Sequence, residues 1–147
     1  VRRSGKYRKL AETEKLSLVD RKLKAGVSYS YKIKPFSLRK DGRVYGESVT
    51  VKAVTVPGKV TGLTLGNTDA GKVKLQWNDI PAAYRFVVYV IDETTGKYKK
   101  LGVTKKNSFT VKENSSEKTA YCVVAAIKTE DDYILGKKSD CIKQSAE

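Results

Sequence analysis

Two segments of this chain recur in the same order at a nearly constant separation. Ser4-Gly-Lys-Tyr-Arg-Lys-Leu10 returns 91 residues later as Thr95-Gly-Lys-Tyr-Lys-Lys-Leu101. Tyr31-Lys-Ile-Lys-Pro-Phe36 lies 90 residues before Tyr121-Cys-Val-Val-Ala-Ala126. Matches that keep their order predict two copies of one structural unit, and a change of offset by one residue fits a single deletion in a loop.

The period is close to 90 residues, which is the size of an immunoglobulin-like sandwich of about seven short alternating strands. In the second copy, strand-type segments separated by turn residues occupy 63–65, 73–77, 84–91, 98–101, 108–111, 121–128 and 137–143. We therefore expect an all-β fold. The side chains expected between its two sheets are Trp77, Tyr84, Phe86, Val88, Tyr121 and Val123.

Several of these residues make nearly the whole chain resemble the fibronectin type III family. The features that carry the resemblance are Val56-Pro57, Trp77 in the second strand, Tyr84 at the start of the third, and Leu23-Lys-Ala-Gly-Val-Ser-Tyr29. In that family the last segment ends in a tyrosine corner, whose hydroxyl bonds to backbone upstream. The resemblance implies this role for Tyr29, whereas Thr119 stands at the equivalent position of the second copy and departs from the pattern.

With the strands lettered A to G in the order of that family, the first copy begins near the end of strand C. Residues 1–56 are thus predicted to be the C-terminal part of one repeat, and residues 57–147 a complete repeat. The first copy lacks strands A and B and the equivalent of Trp77. Because so small a remnant cannot bury both sheets by itself, we expect strands from another chain, from a second copy or from another segment to complete it.

The residue types argue against catalysis. The chain contains no His, so the usual general base near neutral pH is missing. There is no glycine-rich phosphate loop and no Cys or His metal spacing. The adjacent acids Glu130-Asp131-Asp132 fall in a turn and are read as solvated rather than as a Ca²⁺ site. We expect no catalytic residue, no cofactor and no metal.

Positive charge is concentrated in the first copy. The net charge is +14; residues 1–57 hold 15 basic and 5 acidic residues, or +10, and the remainder holds 15 and 11, or +4. Lys32, Lys34 and Lys52 alternate with apolar neighbours and should line one outer face. They are a candidate patch for an anionic polymer such as teichoic acid, glycosaminoglycan or nucleic acid, with plain solvation as the alternative.

The same outer face is apolar in the second copy. Its predicted members are Val87, Tyr89, Ile91, Cys122, Val124 and Ile142. An antiparallel sheet usually keeps one face polar, and exposed apolar patches often mark interfaces. These residues are therefore predicted to bind a neighbouring module, a second copy or a protein ligand. The alternative is that they are merely strand-forming residues left half exposed.

Two cysteines fall on the predicted strands F and G. If Tyr121 faces the core, Cys122 faces outward, whereas Cys141 is expected to face inward. A disulfide across two strands needs both Cβ atoms on one side. We therefore expect two unpaired thiols unless a bulge shifts the register.

The longest apolar run, residues 86–91, is too short to cross a bilayer. The Lys-rich, Cys-poor character with Gly-Lys-Tyr-Lys-Lys-Leu resembles repeats on exported Gram-positive proteins. This likeness implies a non-catalytic structural or protein-binding module of a secreted or cell-surface bacterial protein with tandem repeats. The alternative function is a cationic module that binds anionic polymers.

Overall fold

The computed structural model describes residues 2–3, 6–68, 72–112 and 119–143. The chain divides into two compact units, Val1–Thr55 (unit 1) and Val56–Glu147 (unit 2), one residue before the boundary that the repeat predicts. The regular structure of the described residues is entirely β-strand, which confirms the all-β prediction. Residues 113–118, most of the second copy's approach to strand F, lie outside the described part.

The described part of unit 1 contains short antiparallel strands. They are β1 (Arg2–Arg3), β2 (Lys6–Tyr7), β3 (Ser28–Ile33), β4 (Phe36–Arg39), β5 (Gly42–Tyr45) and β6 (Val49–Val54). The pairs are β1 with β2, β3 with β6, and β4 with β5. Pro35 separates β3 from β4 because proline has no N–H to donate to a ladder. Its carbonyl instead accepts the Gly46 N–H at 3.0 Å.

Tyr29 is the only buried apolar side chain among the described residues of unit 1. Its hydroxyl accepts a hydrogen bond from the Lys24 N–H at 2.9 Å. This bond to backbone upstream is the tyrosine corner implied by the family resemblance, and the prediction for Tyr29 is confirmed.

Unit 2 forms two sheets. Their strands are β7 (Thr64–Asn67), β8 (Val73–Gln76), β9 (Arg85–Asp92), β10 (Tyr98–Thr104), β11 (Ser108–Thr110), β12 (Thr119–Lys128), β13 (Tyr133–Lys138) and β14 (Ile142–Lys143). One sheet has the order β11-β8-β7, and the other has the order β10-β9-β12-β13 with β14 also on β12. These orders correspond to strands E-B-A and C′-C-F-G. Unit 2 is an immunoglobulin-like β-sandwich with a fibronectin type III-like strand order.

The core of unit 2 lies between these sheets. Leu75 and Trp77 from one side pack with Val88, Tyr121 and Val123 from the other. Period-two alternation places Val88 of β9 and Tyr121 and Val123 of β12 on one face of their sheet, as the sequence predicts.

The prediction that Tyr84 is buried is wrong, since its side chain is 40 % exposed. Tyr84 lies just before β9 begins. Its ring contacts that of Tyr133, with 6.0 Å between the centroids, instead of entering the core.

A bulge interrupts the last strand of unit 2. Tyr121 pairs with Ile142. The Val123 carbonyl accepts the Ser139 N–H at 2.9 Å, and the Val123 N–H donates to the Ser139 hydroxyl at 2.9 Å. From Tyr121 to Val123 is two residues along β12, but from Ile142 back to Ser139 is three residues along its partner. One extra residue on one strand is the definition of a β-bulge. Because opposite residues of an antiparallel pair point to the same side, Ile142 faces the core with Tyr121. The prediction that Ile142 lies on the outer face is wrong.

Candidate interaction surfaces

An exposed apolar surface lies on the central strand pair of unit 1. The register of β3 and β6 pairs Tyr31 with Val51 and Ile33 with Val49, so these four side chains share a face. Ile33 is 60 % exposed, Val49 62 % and Val51 45 %. We call Ile33, Val49 and Val51 the open face of unit 1. Adjacent exposed aliphatic side chains of this kind favour binding of another apolar surface.

The equivalent face of unit 2 is covered. The residues 90 positions after Tyr31 and Ile33 are Tyr121 and Val123, and both are 0 % exposed. They belong to the core cluster that contains Leu75 of β8. In unit 2, the sheet of β7, β8 and β11 packs against this face and buries it. A similar sheet packed against the open face of unit 1 would bury it in the same way.

The segment before β3 covers only one end of this surface. The Tyr31 hydroxyl donates to a carboxylate oxygen of Asp20 at 2.9 Å. Burial, and then this hydrogen bond, raise the pKa of Tyr31. The Thr55 hydroxyl donates to the Lys24 carbonyl at 2.6 Å, which fixes the same loop. Ile33 and its neighbours on β6 lie beyond these anchored residues.

The predicted basic residues lie at and near the opposite face of the same strands. Ser30 pairs with Lys52, and Lys32 follows Ser30 by two positions, so Lys32 and Lys52 point to one side. All three lysines are exposed. Lys34 follows the end of β3, where its ammonium lies 4.5 Å from the ring centroid of Tyr45. The structure therefore brings Lys32 and Lys52 together, with Lys34 next to them in the chain.

The predicted apolar face of unit 2 is not an exposed patch. Four of its six predicted members are buried, namely Val87, Ile91, Cys122 and Val124. Tyr89 is partly buried against this group. The expectation that these four residues present an open surface is wrong, and whether they bind a partner stays a prediction.

Two long side chains explain part of this burial. Lys138 of β13 pairs with Val124, and Tyr98 of β10 pairs with Ile91, so the two side chains start from opposite sides of the five-stranded sheet. The Lys138 ammonium nevertheless lies 3.4 Å from the Tyr98 ring centroid. This contact crosses both central strands, so the lysine stem and the ring lie over the apolar face. Sequence alternation did not indicate this cover, because it does not show which way a long edge side chain folds.

Both cysteines are free thiols, and the register of β14 on β12 puts them on the same side of the sheet. The bulge places Asp140 and Cys141 opposite Cys122. The prediction that Cys141 faces inward is therefore wrong. Cys122 is buried and Cys141 is exposed. Burial, with a smaller contribution from Cys141, raises the pKa of Cys122 to about 11, and Lys138 opposes this shift.

A cleft of about 370 Å³ opens beside β10 and β11 in unit 2. Its lining residues are Leu101, Gly102, Val103, Phe109, Val111 and Lys112. None of the described residues that line it carries a carboxylate, thiol or hydroxyl side chain.

The predicted acidic turn is closed locally. The Thr129 N–H donates to the Asp132 carbonyl at 2.8 Å, and the Asp132 N–H donates to the Thr129 hydroxyl at 3.0 Å. Across the described residues, no group of three or more His, Cys, Asp or Glu is placed to hold a metal ion. That part of the chain also has no helix with the length and apolarity that crossing a membrane requires.

No protein-family model matches this chain. No curated protein sequence matches it either. Among solved structures, FN3tt is similar at 20% identity, over 62% of this chain and 97% of its own, with a TM-score of 0.44. An Fn3-like protein from Clostridium thermocellum is similar at 20% identity, over 56% and 88%, with a TM-score of 0.42. A multi-domain titin segment is similar at 12% identity, over 83% and 60%, with a TM-score of 0.45. The fold of unit 2 is assigned from its strand order and register.

Proposed function

We propose that this chain is a non-catalytic structural and protein-binding segment of a secreted or cell-surface protein of the Gram-positive, multi-repeat type. Unit 2 serves as a complete sandwich module. Unit 1 is the C-terminal part of a repeat, and its open face receives strands from another polypeptide segment. The observation that carries this proposal is the contrast between Ile33, 60 % exposed, and its equivalent Val123, 0 % exposed.

The expected occupant of the open face is a sheet with an aliphatic inner side. In unit 2 that role falls to β7, β8 and β11, which contribute Leu65, Leu75 and Phe109 to the core. Covering the aliphatic side chains of the open face with such a sheet removes them from water, and this burial stabilises the complex.

A second feature of unit 1 supports the missing-strand account. Residues 17–19 are equivalent to β11 by the 91-residue offset, yet they form no strand, and Leu18 and Val19 are exposed. In unit 2, β11 pairs with β8. The described residues of unit 1 include no strand that pairs with this segment in the same way.

The absence of catalysis is supported by residue type. The chain has no His, so general-base chemistry near neutral pH would need another group with a suitably shifted pKa.

A chimera tests the structural part of the proposal. Residues 57–94 placed directly before residues 4–56 would restore strands A, B and C to the first copy. We expect one cooperative thermal transition, because the open face then lines a core. Ile33→Lys should lower its midpoint strongly, since it buries a charge, while Lys32→Thr on the opposite face should change it little. The proposal would be contradicted if the chimera showed no cooperative transition, or if Ile33→Lys left the transition midpoint unchanged.

The placement of Lys32 and Lys52 on one exposed face favours a second candidate function, binding of anionic polymers. Replacing Lys32, Lys34 and Lys52 together by Glu should lower the affinity of the chain for heparin and polyphosphate by roughly tenfold or more at low salt. Affinity of the unaltered chain should fall steeply with added salt. Replacing Lys99, Lys100 and Lys106 of unit 2 by Glu gives a control with the same change of net charge. Equal losses in the two variants would contradict a patch on unit 1.

A further inference from the structure

We propose that Cys122 and Cys141 form a reversible disulfide that fastens β14 to β12. The bulge next to β14 places Cys141 opposite Cys122 and turns both side chains to the outer side of the sheet. The inference stands on this register and does not depend on the proposed function.

The flanking pairs hold the two positions close together. On one side Tyr121 pairs with Ile142, and on the other the Ser139 N–H donates to the Val123 carbonyl at 2.9 Å. Opposite residues of an antiparallel pair have Cβ atoms about 4.5–5.5 Å apart, and a disulfide needs about 3.5–4.5 Å. The two strands must therefore move closer for the bridge to form, and the irregular backbone of a bulge can absorb such a movement. The contribution of Cys141 to the raised pKa of Cys122 is a second sign that the thiols are close.

The difference in exposure sets the order of the chemistry. Cys141 is exposed and is the first to react with a small-molecule disulfide, which serves as the oxidant. Its thiolate attacks one sulfur of that disulfide, the S–S bond breaks, and one small thiol leaves with the proton that Cys141 lost. Cys122 then loses its proton and attacks the Cys141 sulfur of the mixed disulfide, which releases the second small thiol. Two cysteine thiols are oxidised and one small-molecule disulfide is reduced to two thiols.

The bridge would secure a weakly held element. Among the described residues, two pairs join β14 to β12, Ala120 with Lys143 and Tyr121 with Ile142. A covalent link beside these pairs prevents β14 from separating when the bulge opens. Oxidising surroundings outside the cell favour such bonds, and a reducing cytosol does not.

The whole chain treated with oxidised glutathione tests this inference. Trypsin cleaves after lysine, so Cys122 falls in the peptide of residues 119–128 and Cys141 in that of residues 139–143. We expect a mass equal to these two peptides joined less two hydrogens, which dithiothreitol splits. The thermal midpoint of unit 2 should rise by roughly 10 °C on oxidation. The Cys141→Ser variant should show neither the joined peptide nor the rise.

Glutathione that remains on Cys141 while Cys122 stays a thiol would overturn the inference. Dimers linked through Cys141 as the sole oxidised product would overturn it equally. Because Cys141 is exposed, its replacement by Ser should leave the fold intact. If it does not, the peptide map of the unaltered chain decides the question by itself.

Discussion

At the residue scale, Cys122 and Cys141 lie on one side of a sheet but differ in burial, and we therefore expect them to differ in reactivity. A pKa of about 11 leaves Cys122 almost wholly protonated at neutral pH, and its side chain is out of contact with solvent. In the reduced native chain, we expect N-ethylmaleimide to modify Cys141 quickly and Cys122 at least ~100-fold more slowly. Denaturation should make the two rates similar, and mass spectrometry after timed quenching measures both. Equal rates in the native chain would contradict the burial of Cys122.

Single residues also show what the sequence could reveal about unit 1. The Leu23-Lys-Ala-Gly-Val-Ser-Tyr29 segment indicated a tyrosine corner, and the Tyr29 hydroxyl does accept the Lys24 N–H. This prediction succeeded because the corner is a local motif, with both partners in one short segment. The prediction for Tyr84 failed because this residue lies just before β9 begins and contacts Tyr133, and the alternation of the strand did not show where the strand starts.

At the scale of elements, the outer face of the unit 2 sheet can be tested with a matched pair of substitutions. Val87 and Val103 are directly opposite each other on β9 and β10, so they point to the same side. Val87 is buried and Val103 is exposed. Val87→Lys should therefore lower the free energy of unfolding by about 2–4 kcal/mol because it buries an ammonium. Val103→Lys should change it by less than about 0.5 kcal/mol.

Chemical denaturation of the whole chain measures both values. If the two substitutions prove equally mild, the Val87 site is open to water in solution, and the face is available for docking as the sequence analysis first predicted. If both are severe, the exposure of Val103 is wrong.

The strands of unit 2 could be predicted from alternation, and the faces of its last strand could not. Alternation in β9 and β12 places Phe86, Val88 and Tyr121 correctly in the core. The extra residue at the bulge shifts everything after it by one position. Val51, not Lys52, is therefore the structural equivalent of Ile142, since both pair with equivalent tyrosines. A constant 90-residue offset matches Ile142 with Lys52 instead, and so assigns Ile142 to the wrong face of the sheet. Neither composition nor periodicity shows where a bulge occurs.

At the scale of the whole molecule, the two units differ in how much apolar surface they bury. The buried apolar side chains among the described residues belong to unit 2, with the single exception of Tyr29. The repeat in the sequence predicted such an asymmetry, because it aligns residues 1–56 with only the C-terminal part of residues 57–147. The sequence could not show which segment would cover the open face of unit 1, since that depends on the residues of the covering segment.

Hydrogen exchange of the whole chain, kept monomeric and without any partner, tests the central claim that unit 1 is an incomplete repeat. The amides of β12 lie in a closed sandwich and should exchange only when unit 2 unfolds. The amides of β3 should exchange at least ~100-fold faster, because a two-stranded sheet with one open apolar face is only marginally stable. Protection of β3 equal to that of β12 would contradict the account, since it would make unit 1 a closed domain by itself.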